Sequence, residues 1–196
     1  QEQDAVAKRD VHVPRTGRPR PATGRVYLND CRHCLGHQHP IFWSGSVVTT
    51  AEYWLRENFA ALELPPDAVA WLIDLWHVTQ VFDDVADGDP VDRKALDDTV
   101  WRTLVGMPAN SFFMAHAGQL LPAVGTAILK WKASDDAERS GLADERSFVW
   151  RAAYYDLVLL VVLLCQGRES AMEKAGAVMA LYGESFATYR GEFPHG

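Results

Sequence analysis

Three cysteines in 196 residues are too few for a disulfide framework. Cys165 sits in an apolar run far from Cys31 and Cys34, so a reducing compartment is expected. The longest uninterrupted apolar run, residues 157–165, has nine residues, well short of the ~20 a membrane helix needs. No secretory signal pattern opens the chain, and a first residue of Gln1 rather than Met is expected of a trimmed chain. No segment alternates with period two, and no Asn-Gly turn or internal repeat is visible. A nucleophile elbow and a glycine-rich phosphate loop are missing too. Sheet folds, solenoids and the commonest hydrolase and nucleotide-binding designs are thereby set aside. A protein of the cytoplasm or of a virion, with no membrane partner, is expected.

What is present is a core-forming chain with an uneven charge. Hydrophobic residues make up 48% and there are seven Trp, enough for one well-packed domain. The net charge of −7 conceals a split. Residues 1–50 hold seven Lys or Arg against four Asp or Glu, a balance of +3, which leaves −10 for residues 51–196. Residues 1–48 carry Pro14, Pro19 and Pro21 among Arg15, Arg18, Arg20 and Arg25, with almost no hydrophobic periodicity, and read as an extended basic arm. By composition the arm does not order alone, so a partner surface is expected to hold it. That partner is an acidic neighbour, such as another copy of this body, or nucleic acid. Trp43 and the arm's arginines are the expected contact residues.

Within the arm, residues 31–39 collect two cysteines and three histidines. The spacing of Cys31, Cys34 and His39 resembles the first three ligands of a retroviral-type zinc knuckle, but Ser44 stands where that knuckle places its last cysteine. His37 or His33 would have to complete the tetrahedron, with Gly36 easing the turn. Cys31, Cys34, His37 and His39 are the expected ligand set. A closed sulfur and imidazole shell leaves no open position, so bound zinc would be structural. A c-type haem is excluded because Leu35 follows Cys34.

From residue 49 onward the signals are helical, and an all-α bundle of about six helices is predicted over 49–196. Thr49, Thr50 and Glu52 form a capping box for a helix that Pro65 and Pro66 stop. A second helix is expected from about Asp67 to Asp87, closed by Gly88. A third is capped at residues 89–92 with Pro90 in its first turn. A fourth starts at Asn110 or Ser111 and is broken or kinked by Pro122. A charged loop over 133–141, a buried helix over 142–166 and a last helix over 170–189 complete the expectation.

The segment Phe82-Asp83-Asp84-Val85-Ala86-Asp87 resembles the first aspartate-rich motif of the class I isoprenoid synthases. The resemblance covers about ten residues. It implies Asp83 and Asp87 as magnesium ligands against a diphosphate, with Asp156 opposite and His77 as acid or base. Residues 142–190 offer no second such motif, only Asp156 and scattered glutamates such as Glu169, Glu173 and Glu184. On a helical wheel His77, Gln80, Asp84 and Asp87 share one side, opposite Trp71, Leu75, Val78, Phe82 and Val85, so the simpler reading is a solvated face. An EF-hand fails because Val85 and Lys94 fall on ligand positions. Asp156, on the helix expected to be most buried, needs a partner. That partner is either a metal facing Asp83 or His77, or a structural one such as Arg151, a Tyr hydroxyl or a cation from another helix.

Residues 75–93, Tyr154-Tyr155-Asp156-Leu157-Val158 and Leu181-Tyr182-Gly183-Glu184-Ser185 resemble small uncharacterised all-α proteins of tailed bacteriophages, over residues 50–193. That resemblance implies no activity and favours a role in a virion or its assembly. The leading expectation is a non-catalytic subunit that docks to neighbours through its arm. The alternatives are a magnesium-dependent enzyme acting on diphosphates and a nucleic-acid-binding regulator that uses the knuckle and arm. Element analysis of purified protein is expected to find one zinc per chain, lost in Cys31→Ser with Cys34→Ser. A metal content unchanged by those substitutions removes the knuckle.

Overall fold

The computed structural model describes residues 50–193. Every regular element among them is helical, in chain order α1 (Thr50–Ala61), α2 (Pro66–Asp87), α3 (Arg93–Trp101), a π-helical turn (Arg102–Gly106), the single turn α4 (Met107–Ala109), α5 (Ser111–Arg139), α6 (Glu145–Arg151), α7 (Ala153–Ala180) and α8 (Phe186–Glu192). The all-α expectation holds, with seven helices longer than one turn.

The boundaries follow local chemistry. Pro66 opens α2, where a missing N–H is harmless. Gly88, at φ 79°, closes it in the left-handed conformation that a side chain disfavours. Asp92 caps α3 by accepting from the Ala95 amide, so Pro90 precedes the helix instead of sitting in its first turn. Asn110 caps α5 by accepting from the Phe113 amide. Asp144 and Ser147 form a reciprocal capping box on α6.

Several expected breaks fall elsewhere. Pro122 does not interrupt α5, which runs unbroken from Ser111 to Arg139. Its ring lies on the exposed side, and the carbonyl it leaves without a helical donor belongs to Gly118, whose absent side chain leaves open space there. The expected loop over 133–141 is instead the end of α5. It is held by Lys132 to Asp136 and Arg139 to Asp135 pairs one turn apart, and by the Ser134 hydroxyl, which lies 2.9 Å from both the Glu138 carboxylate and the Ser147 carbonyl and shares its one proton between them. The helix expected over 142–166 starts at Glu145 and steps at Ala152. The last expected helix is divided by the turn at 181–185, where Ser185 caps α8.

The core is built where α2, α5 and α7 meet, with α1 across one side. Trp71 of α2 is fully buried, with its ring stacked on Phe113 at 6.0 Å and tilted against Phe112 at 6.4 Å. Leu55, Phe59, Leu72, Leu120, Val158, Val161 and Val162 close around it. A smaller aromatic cluster of Phe148, Phe186, Tyr189 and Phe193 joins α6 to α8. Helix α7 is broken inside by Gly167, at φ 84° and ψ 178°, a region open only to glycine. Residues on both sides of that break hold the end of α1. Gln166 donates to the Leu62 carbonyl at 2.6 Å, and Lys174 donates to the same carbonyl and to Glu63, each at 3.1 Å.

One helix among the described residues is long and apolar enough to cross a membrane, by length and composition alone. It is α5, with a mean hydropathy of 1.4 over its best window. The bent pair α6 and α7 passes the same test only if taken together. Counting uninterrupted apolar residues overlooks α5, because Ser, His, Gly and Gln are interspersed in its uncharged stretch. Trp71→Ala should cost about 3–5 kcal/mol in a denaturant melt, while Trp54→Ala, at an exposed position, should stay within about 0.5 kcal/mol.

Candidate functional site

His77, Asp83 and Asp156, three of the groups that suggested a metal site, are each engaged with a separate partner. His77 meets Glu52 of α1 at 2.8 Å, and Arg56 binds the other carboxylate oxygen of Glu52 at 2.7 Å. Burial would raise the Glu52 carboxyl, but the hydrogen bonds and charges of His77 and Arg56 outweigh it and hold it below the usual glutamate range. Asp83 accepts from the indole N–H of Trp131 at 3.0 Å. Asp156 is paired with Lys130 of α5. It is exposed rather than buried, a correction to the expectation from its apolar flanks. Only Asp156, among residues 153–162, turns outward to solvent, while Tyr155, Leu157, Val158, Val161 and Val162 turn inward.

Lys130 and Trp131 are adjacent, so α2 and α7 reach α5 from directions about 100° apart. Asp83 and Asp156 therefore flank one helix instead of facing a shared space. The described residues contain no group of three or more His, Cys, Asp or Glu placed to hold one ion. An ammonium on Asp156 and an indole N–H on Asp83 are donors, which suits carboxylates serving as structural acceptors. The donor set does not fit the magnesium and diphosphate arrangement implied by the aspartate-rich motif. Cys31, Cys34, His37, His39, Arg15, Arg18, Arg20, Arg25 and Trp43 lie outside the described residues.

Two features were not visible in sequence. The first is a shallow concavity of about 270 Å³ lined by Asp74, Asp98, Trp101, Arg102 and Gly106. Arg102 reaches Asp74 from the first residue of the π-turn, a geometry often found at functional sites. A Cβ at Gly106 would lie 3.5 Å from the Asp74 carboxylate, so the turn closes tightly on α2. A similar hollow between α5 and α7 is lined by Ala123, Thr126, Ala127, Lys130, Asp156, Leu157 and Leu160. The second feature is a buried polar knot. The Tyr189 hydroxyl lies 2.6 Å from Ser147 Oγ and 3.1 Å from Glu138, and the Arg151 guanidinium sits over the Tyr189 and Phe193 rings. This knot ties α5, α6 and α8 together, with Ser147 and Tyr189 fully buried.

The outward surface is unusual. On α3 and the π-turn, Leu96, Val100, Trp101, Leu104 and Val105 are exposed, whereas Thr99 is buried and Arg102 turns inward. On α5, Met114, Leu121, Ile128 and Leu129 are exposed, and residues 111–129 carry no charge. These exposed apolar side chains make the two helices candidate interaction faces. Comparison of the chain with models of known protein families, with curated proteins and with solved structures returns no match.

The Glu52 contacts give a pH dependence with a definite sign. Its folded carboxyl titrates below its unfolded one, so its contribution, about 1 kcal/mol, is complete above the unfolded value of ~4.3 and fades as pH falls. Glu52→Gln should therefore be less stable than the parent at neutral pH, with the gap closing in denaturant melts below about pH 4. A constant gap across that range would mean that Glu52 titrates as it does when unfolded.

Proposed function

We propose that this chain is a non-catalytic subunit of a larger assembly, packing body to body through α5 and reaching neighbours with its N-terminal arm. The observation that carries the reading is the outward stripe of α5. Met114, Gly118, Leu121, Gly125 and Ile128 follow one another at alternating four- and three-residue steps along one side, the spacing of a helix-packing seam. Gly118 and Gly125 have open space in front of them. A second copy laid antiparallel about a two-fold axis near residues 121–122 would set Gly118 against Gly125 and Met114 against Leu129, bringing the two backbones close. A cyclic two-fold contact of this self-complementary kind is the commonest oligomer geometry.

A lipid surface suits this body less well. Its residues 51–196 carry a net −10, which anionic membranes repel, and the inward side of α5, with Phe112 and Leu120, is committed to the core. The resemblance of residues 50–193 to small phage proteins supports placing the assembly in a virion. Zinc on Cys31, Cys34, His37 and His39 would brace the arm, and the same basic arm is the part suited to nucleic acid. The magnesium-enzyme reading has less support, because Asp83 and Asp156 serve separate partners.

The measure is mass in solution. Full-length protein should form a dimer or larger species that Leu121→Glu with Ile128→Glu dissociates by at least about tenfold in Kd, the effect of losing a buried apolar anchor. Deleting residues 1–48 should likewise weaken assembly and leave the helical content of the body. Assembly untouched by both changes overturns the proposal.

A further inference from the structure

We propose that the outward face of α3 and its π-turn is the seat for residues 1–49 of a second copy of this chain. The inference rests on the assembly reading above and names the surface that receives the arm.

The first observation is that α3 is turned inside out. A helix packed on a core normally hides its apolar stripe, yet here Leu96, Val100 and Leu104 point away from the body at four-residue steps, with Leu104 71% and Trp101 65% exposed. What faces inward is Thr99, whose hydroxyl donates to the Ala95 carbonyl, and Arg102 on Asp74. The π-turn sustains this arrangement. It seats Arg102 and Gly106 against α2 while leaving both Leu104 and Val105 outward.

The second observation is charge. Residues 83–98 hold seven aspartates against Arg93 and Lys94, and Asp98 helps line the concavity beside Trp101. The arm carries Arg15, Arg18, Arg20 and Arg25 in a segment with no acidic residue between Pro14 and Asn29. An arginine laid on the Trp101 ring gains a cation–π contact, and Asp98, which also holds Lys94 at 2.6 Å, lies beside it as a carboxylate the two cations would share. The arm also brings apolar residues in need of cover, Val26-Tyr27-Leu28 and Ile41-Phe42-Trp43.

The third observation is reach. α1 starts at Thr50, so residues 1–49 precede the body, and they include Pro14, Pro19, Pro21 and Pro40. A proline-spaced run extends semi-rigidly at ~3.1 Å per residue, a length that suits the face of a neighbour, and reciprocal exchange closes a two-fold pair.

Complementation between two full-length variants tests the seat. The seat variant is Val100→Asp with Leu104→Asp. The arm variant is Arg15→Glu, Arg18→Glu, Arg20→Glu and Arg25→Glu with Trp43→Ala. All body substitutions are at exposed positions, and Trp101→Glu serves as a second seat variant if the first loses helical content by circular dichroism. Each variant alone should assemble about tenfold more weakly than the parent by sedimentation velocity. An equimolar mixture should recover about half of the loss on a logarithmic scale, roughly threefold of the tenfold, because one of the two contacts in the mixed pair joins an intact arm to an intact face. Three outcomes overturn the proposal. If the seat variants assemble like the parent, the seat is wrong and the assembly reading survives. If each variant is weakened but the mixture is not rescued, the arm sits on its own α3. A parent that sediments as a single chain at every concentration removes the assembly reading itself.

Discussion

The fold depends on burying one large side chain, Trp71, completely. Its ring sits where α2 crosses the start of α5, stacked on Phe113 and touching Phe112, and its indole N–H has no hydrogen-bond partner among the described residues. Leaving such a donor unmet costs about 1–3 kcal/mol, which the apolar contact of the ring must exceed. That balance is possible because α2 is anchored at each end of this crossing. The Asn110 amide donates to the Asp67 carbonyl at 2.9 Å and the Ser111 hydroxyl to the Asp67 carboxylate at 2.8 Å, and further along Trp131 donates to Asp83. Asp67 and Asp83 belong to this frame. They are acceptors that set the line of α5, while Asp74 holds Arg102 of the π-turn.

That arrangement explains which parts could be read from residue order. Helix ends were legible wherever one residue acts on its own backbone, as Gly88 does in ending α2 and Asn110 in starting α5. The end of α5 was not legible, because residues 133–139 look like a solvated loop until Ser134 and Glu138 are seen bonding to Ser147 and Tyr189, tens of residues away. Pro122 misled for a related reason. Its effect depends on which side of the helix it occupies, and the outward side with Gly118 beneath it absorbs the disruption. Asp156 was expected inside because its neighbours are apolar, but a 3.6-residue period can turn one position outward in an otherwise buried run.

The candidate site was less legible than the fold. A motif of two aspartates one turn apart says nothing about whether a second helix presents matching ligands, and here the residue facing Asp83 is Trp131. The inverted α3 could be suspected only once its packing side was known. Its outward apolar stripe and its inward Arg102 look in sequence like an ordinary amphipathic helix, since periodicity fixes the width of a stripe and not the direction it faces.

The interrupted α7 has a mechanical consequence. Its two halves grip the end of α1 from either side of Gly167, through Gln166 and Lys174 on the carbonyl of Leu62. Traction on the leading residues passes into α1 and then into this clasp. Tension would thus be delivered to a glycine joint that already tolerates bending, sparing the tightly packed interior around Trp71 from deformation.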